Sequence, residues 1–266
     1  MNDAIRQLLA PTSWPTFVFI VARLAGLMLV APLWSLTGMP KSLRGAVAVL
    51  LAGMLTAGAP KLPFPSGALD IPLPLFSEFV IGLVIGLSAA VIVQGVMMAS
   101  DVVALQTGLS LGQTLTPNID TGGPAIAQLQ GLLATGVYVT LGGHLMLIES
   151  LAKSLRLIPP GTIPSFDGGL VAVLLLVSQF FVHVVQIAAP ILVAVTITNM
   201  AVGVLGRAVP QLNAMAMSFA VSIGVGLVML GVAAPFLASQ VARWTTAMPR
   251  GIDSILSTFT VAPGAR

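Results

Sequence analysis

Residues 168–206 read GGLVAVLLLVSQFFVHVVQIAAPILVAVTITNMAVGVLG, with no Asp, Glu, Lys or Arg anywhere in the run. A membrane-crossing helix takes about 20 apolar residues, so this stretch alone exceeds one crossing. Outward from it, uncharged runs also cover 7–22, 24–40, 45–60, 79–100, 121–148 and 208–242. Across all 266 residues, 57% are hydrophobic and 7% charged. Mean hydropathy is +1.04. Soluble domains carry about 25% charged residues and need them to cover their surface. The composition excludes a soluble enzyme, a nucleic-acid binder and a disordered chain. It predicts an all-α integral membrane protein with about six hydrophobic helices in hairpins, at 14–34, 43–59, 75–99, 125–149, 169–199 and 212–242. These make one membrane-embedded domain over 1–242, followed by a mildly basic tail over 243–266 that lies on the membrane surface.

The net charge is only +3, from 11 Lys+Arg against 8 Asp+Glu. No basic cluster suggests phosphate binding, so no nucleic-acid partner is expected. The chain has no cysteine, which excludes disulfides, thiolate metal sites and thiol redox chemistry. The N-terminus does not resemble a cleaved signal: Arg23 interrupts the apolar run and no A-x-A site follows. The first helix is therefore expected to be retained. Trp14 and Trp34 bracket it, and 20 residues rise about 30 Å, the thickness of the hydrocarbon. The second helix is short and the last two are long. Pro190 lacks an amide hydrogen and should kink the fifth. Uneven lengths suit helices buried among partner proteins better than helices bathed in lipid.

Lys and Arg set the orientation. With the N-terminus inside, the inner segments hold Arg6, Lys61, Lys153, Arg156, Arg243, Arg250 and Arg266, and the outer ones only Lys41, Arg44 and Arg207. Both termini are expected to be cytoplasmic.

Several polar groups stand inside the apolar runs. Arg23 is the sharpest: a cation this deep costs several kcal/mol unless paired, and it faces protein or water. Glu78 and Asp101 are its candidate partners. An internal ion pair, a path for ions or protons, and contact with another subunit are all open readings. Gly82 and Gly86 form a GxxxG, and Ser218, Ser222 and Gly226 repeat every fourth residue. Gln179, His183 and Gln186 share one helical face. Small and polar residues of this kind join membrane helices, within a chain or between chains, or line a wet lumen.

Gly108-Leu109-Ser110-Leu111-Gly112 matches the G-x-S-x-G nucleophile elbow. That elbow needs a strand before it, and none is readable here. An intramembrane serine protease would need His144 or His183 near Ser110. Two histidines without acids at ligand spacing do not make a metal site. No catalytic, cofactor-binding or metal residues are expected. The segment 105–122 is too apolar for a simple exposed loop and too glycine-rich for a helix. Irregular backbone at membrane depth belongs inside protein or beside a water-filled cavity, so this segment suits a plug, with an ordinary long external loop as the other reading.

The same residues carry a family resemblance. Leu105-Gln106-Thr107-Gly108-Leu109-Ser110, followed by Thr116-Pro117, resembles the central loop of the FliR family of flagellar export-gate proteins, whose injectisome counterpart is SctT. Asn199 and then Arg207-Ala208-Val209-Pro210-Gln211-Leu212-Asn213 resemble the family's Arg-x-x-Pro-Gln-x-Asn turn before the last helix. Arg23, Ala31-Pro32, Pro40 and Gly142-Gly143-His144 fit the same order. Two positions depart from the pattern: Leu111 stands where the family usually has Phe, and Thr116 where it has Asp.

The resemblance implies a non-enzymatic structural subunit of the flagellar type III secretion gate, in the inner membrane at the flagellar basal body. FliP-like and FliQ-like subunits would complete a helical ring, with FlhB-like and FlhA-like proteins beside it. Unfolded flagellar subunits would pass through. The plug would include Leu105, Gln106, Gly108, Leu109, Ser110, Leu111, Gly112, Leu115, Thr116 and Pro117. Arg23, Gly82, Gly86, Gln179, His183, Gln186, Arg207, Pro210, Gln211, Asn213, Ser218, Ser222 and Gly226 would hold the assembly. The SctT subunit of an injectisome is the near alternative; a secondary transporter and an intramembrane protease are the distant ones.

Overall fold

The computed structural model describes residues 14–34, 40–60, 71–110, 125–163, 166–208 and 214–259. Seven helices occupy them: α1 Trp14–Val30, α2 Lys41–Gly58, α3 Pro72–Thr107, α4 Ala125–Thr140, α5 Gly143–Leu157, α6 Phe166–Ala208 and α7 Ala214–Ser257. No strand occurs among the described residues. The all-α membrane class follows: α3, α6 and α7 are long and apolar enough to cross a bilayer, and α4 with α5 makes a fourth, bent candidate.

The helix ends differ from the sequence expectation for local reasons. α1 stops at Val30 instead of reaching Trp34. Pro32 has no amide hydrogen and disfavours helical geometry at Ala31 before it. α3 begins at Pro72, where proline suits a first helical position. It runs past Ser100 and Asp101 to Thr107, for 36 residues. Polar residues weaken a helix only slightly. The stop comes at Gly108, whose φ of 80° is left-handed and favours glycine. Leu105, Gln106 and Thr107 therefore belong to α3, and of the segment expected to be irregular from 105 the described part is the turn 108–110. The run expected as one helix over 125–149 is two, bent by 62°. Gly142 sits at the bend with φ 72°, and its carbonyl accepts the first amides of α5 from Leu145 and Met146.

α6 has 43 residues with Pro190 inside it, and α7 has 44. The segment expected as a separate surface tail is helical to Ser257, and its Ile252, Ile255, Leu256 and Phe259 are buried. The Phe259 ring lies 3.4 Å from where a Cβ on Gly169 would stand.

The chain divides into two compact units. The first comprises Met1–Ala90, Gly142–Val177 and Thr246–Arg266, and the second Val91–Leu141 and Ser178–Thr245. α3, α6 and α7 each contribute a segment to both. Burial is uneven: 72% of the most apolar stretch of α3 is buried, against 22% in α6 and in α7.

Candidate functional site

Within the first unit, polar chemistry centres on Arg23. Phe19, Ile20, Leu24 and Leu27 beside it are buried, and so is Arg23 itself, at 0% exposure. A guanidinium in that setting must have its hydrogens taken up. Its Nε donates to Glu78 Oε2 at 2.6 Å, Nη1 to Ser154 Oγ at 2.9 Å and Nη2 to the Ile158 carbonyl at 3.1 Å. Glu78 is also fully buried, and its Oε1 accepts the Gly161 amide at 2.9 Å. Ser154 passes its own proton to the Leu151 carbonyl. One ion pair thus ties α1, α3, α5 and the turn after α5 together. Of the two acids that sequence offered Arg23, Glu78 is the one engaged.

The backbones meet closely beside this pair. A Cβ on Gly82 would collide with the Arg23 carbonyl oxygen, and one on Gly26 with the Phe79 carbonyl oxygen. At Gly86 it would lie 2.6 Å from the Leu27 carbonyl oxygen. The GxxxG face is therefore filled by α1 of the same chain, the intrachain reading of the motif. Thr16 donates to the Pro60 carbonyl at 3.3 Å and Ser77 to the Thr162 carbonyl at 3.1 Å. Lys153 pairs with Asp253 at the exposed edge.

Within the second unit, the Ser/Gly stripe is also used internally. Ser222 donates to Asn199 Oδ1, Ser218 stands 3.5 Å from the same oxygen, and Gly226 presses on Thr107. Ser100 donates to Gln130 Oε1. A Cβ on Gly131 would be 2.8 Å from Met97 Cγ. His183 stacks on Trp244, with centroids 3.8 Å apart and planes at 22°, and its Cβ faces Gly95. Gln179 and Gln186, on the same helical face, are exposed instead. Arg207 is exposed in the last turn of α6, where a cation favours the helix dipole.

Gly108, Leu109 and Ser110 form the turn after α3, with the Ser110 amide bonded to the Ala104 carbonyl. Leu111, Gly112, Leu115, Thr116, Pro117, Pro210, Gln211 and Asn213 lie outside the described residues.

The sequence reading missed Ser154, the Ile158 carbonyl and the Gly161 amide around Arg23. It also missed Gly26. Ala22 and Gly26 form a small-x-x-x-small pair, a signal that was available for the crossing with α3.

The profile of the bacterial export proteins, family 1, matches residues 14–248. That span takes in all of α1–α6, the Arg23–Glu78 pair and most of α7. The chain belongs to this family. Its relatives include the flagellar biosynthetic protein FliR of Escherichia coli K12, 26% identical over 232 residues, 85% of this chain and 84% of that protein. The FliR protein of Bacillus subtilis 168 is 24% identical over 220 residues, 82% and 85% of the two chains. That of Caulobacter vibrioides is 27% identical over 218 residues, 79% and 85%. The FliR resemblance read from the motifs therefore holds over most of the chain.

Proposed function

We propose that the chain is a structural subunit of the inner-membrane export gate of a flagellar type III secretion apparatus. The observation that carries this reading is the family match over 14–248 together with FliR relatives aligned over most of both chains. Those relatives are named as flagellar proteins, which favours the flagellar system over the injectisome. In this role the chain joins FliP-like and FliQ-like helices in a conduit for unfolded flagellar subunits, beside FlhB-like and FlhA-like proteins. It catalyses nothing itself.

The burial pattern supports the assembly part. Val185, Val193, Ile197, Met200 and Val204 of α6, and Val228 and Val232 of α7, are exposed. Apolar faces of this extent on a lone chain belong against lipid or other subunits. Within the first unit Thr16 meets Pro60, Ser77 meets Thr162 and Lys153 meets Asp253; the orientation with both termini cytoplasmic rests on the Lys and Arg distribution.

The plug is proposed for 108–122, starting at the Gly108 turn, with Leu109, Leu111 and Leu115 as its apolar seal. Leu105 and Gln106, helical in α3, leave it. Removing the chain from its host should stop secretion of flagellar subunits and motility, and supplying it back should restore both. Continued secretion without it would refute the role. Deleting 109–116 should leave the complex assembled but let ions leak across the membrane. Unchanged permeability would refute the plug.

A further inference from the structure

α3 carries a second acid, and it is not satisfied. Asp101 Oδ1 is buried and has no hydrogen-bond partner among the described residues. It stands in a membrane-length apolar helix, where an ionisable group marks a site and faces protein or water. Its surroundings show which side is open. In the second unit, the last four turns of α3 are covered on several faces from within the chain. α4 covers Met97 and Ser100, α6 covers Gly95 and α7 covers Thr107. Val96, Ala99, Val103 and Ala104 are buried. One stripe is left: Gln94, Met98, Asp101 and Leu105, flanked by half-buried Val102 and exposed Gln106.

These four positions follow one another at spacings of four, three and four. That is the spacing by which a helix presents a seam to a second helix lying along it. Met98 is 44% exposed and Leu105 72%. Gln94 is exposed too, and only Asp101 between them is half-buried. The stripe is thus an apolar–polar seam with an acid at its middle. Lipid tails offer a carboxylate nothing to bond. The stretch that follows α3 in the chain, 108–124, holds no Lys or Arg to turn back onto it. Arg23 and Lys153 are already held by Glu78 and Asp253.

We propose that the Gln94–Met98–Asp101–Leu105 stripe is the docking seam for a membrane helix of another subunit, which sets a Lys or Arg against Asp101. The charge is the specific part of the contact. Met98 and Leu105 supply packing to any helix, whereas an acid at mid-seam rejects helices that bring no cation. The proposal rests on the reading of the chain as one subunit of a membrane complex, and it names the partner's chemistry.

Two measurements test it. The first is incorporation into the native complex, read on native gels of detergent-solubilised membranes. Asp101→Glu should incorporate close to normally, Asp101→Asn should incorporate roughly tenfold less, and Asp101→Lys less still. Second-site changes that rescue Asp101→Lys should replace a Lys or Arg by an acid in a membrane helix of another protein. Normal incorporation of Asp101→Asn, or rescue confined to this chain, would overturn the proposal. The second measurement covers variants that fail to fold. The chain has no cysteine, so Leu105→Cys introduces a single thiol. Paired with single cysteines placed in the membrane helices of the other subunits, it should form a disulfide under copper phenanthroline in membranes holding the whole apparatus. No such crosslink to any other subunit overturns the seam. If removing the chain leaves secretion intact, the export reading fails. If removal stops secretion while Asp101→Asn assembles normally, the export role stands and the seam alone is lost.

Discussion

Glu78 and Asp101 are the two acids of α3, and the chain treats them oppositely. Glu78 is wholly enclosed, with Arg23 on one oxygen and the Gly161 amide on the other. Asp101 keeps an oxygen buried with no donor among the described residues. The backbone tells the same story. Near Glu78, α3 touches α1 at Gly82 and Gly86. Near Asp101, the helix leaves a side-chain stripe open. One end of this helix is finished by its own chain, and the other, on our proposal, by a second subunit. A buried acid is therefore read by asking which donors the chain itself can bring to it.

The contrast breaks first at the closed end. Arg23→Ala strands the Glu78 carboxylate in an apolar core, and losing one partner of a buried pair costs about 3–5 kcal/mol. The variant should lose folded yield in detergent, measured by size-exclusion chromatography. Replacing both members with Met and Leu should recover most of it, since an apolar pair of similar volume needs no donors. A double variant as poor as Arg23→Ala would show that the pair does more than fill space.

Gly82→Ala comes next. Its new methyl meets a backbone oxygen, so the helices must separate, at about 1–3 kcal/mol. Gly136→Ala is the matched control, because nothing lies within 4 Å of a Cβ there. Thermal unfolding in detergent should fall for the first and not the second. Ser222→Ala removes one bond to Asn199 and should cost about 0.6 kcal/mol, the average for polar contacts between membrane helices. The smallest effect belongs to the open stripe: Met98→Ala should leave the melting temperature of the isolated chain unchanged. A drop there as large as that of Gly82→Ala would erase the difference between the two ends.

Much of this was legible in advance, and the misses have physical causes. Membrane class follows from where charges fall, because hydrocarbon tolerates so few of them, whereas helix number was undercounted because an uncharged bend such as Gly142 leaves no mark in the charge pattern. The need for a partner at Arg23 is readable for the same reason. Which acid answers it depends on the register between α1 and α3, set by close approach at Gly26, Gly82 and Gly86. Only the pair Gly82 and Gly86 was read as a motif. The Ile158 carbonyl and Gly161 amide are main-chain groups; every residue supplies the first and every residue but proline the second, so composition is silent about them. Helix ends were misplaced wherever a polar residue was taken for a boundary. Asp101, Arg207 and Arg243 lie inside continuous helices, while Pro32, Gly108 and Gly142 decide where helices stop or bend. The lesson from Ile252 and Phe259 is similar: scattered charges at 243–253 suggested a free tail, but the apolar positions between them reach the core.

The uncharged run of α6 has a consequence of its own. From Gly168 to Gly206 its contour is about 58 Å, against about 30 Å of hydrocarbon. Membrane helices lean at most about 40°, too little to lay a straight rod of that length wholly among acyl chains. Held straight, roughly a third of it would reach beyond the hydrocarbon, carrying valines and methionines that water does not welcome. In the proposed gate neighbouring subunits would cover that part, so the length of this one segment would set how far the particle stands clear of the lipid.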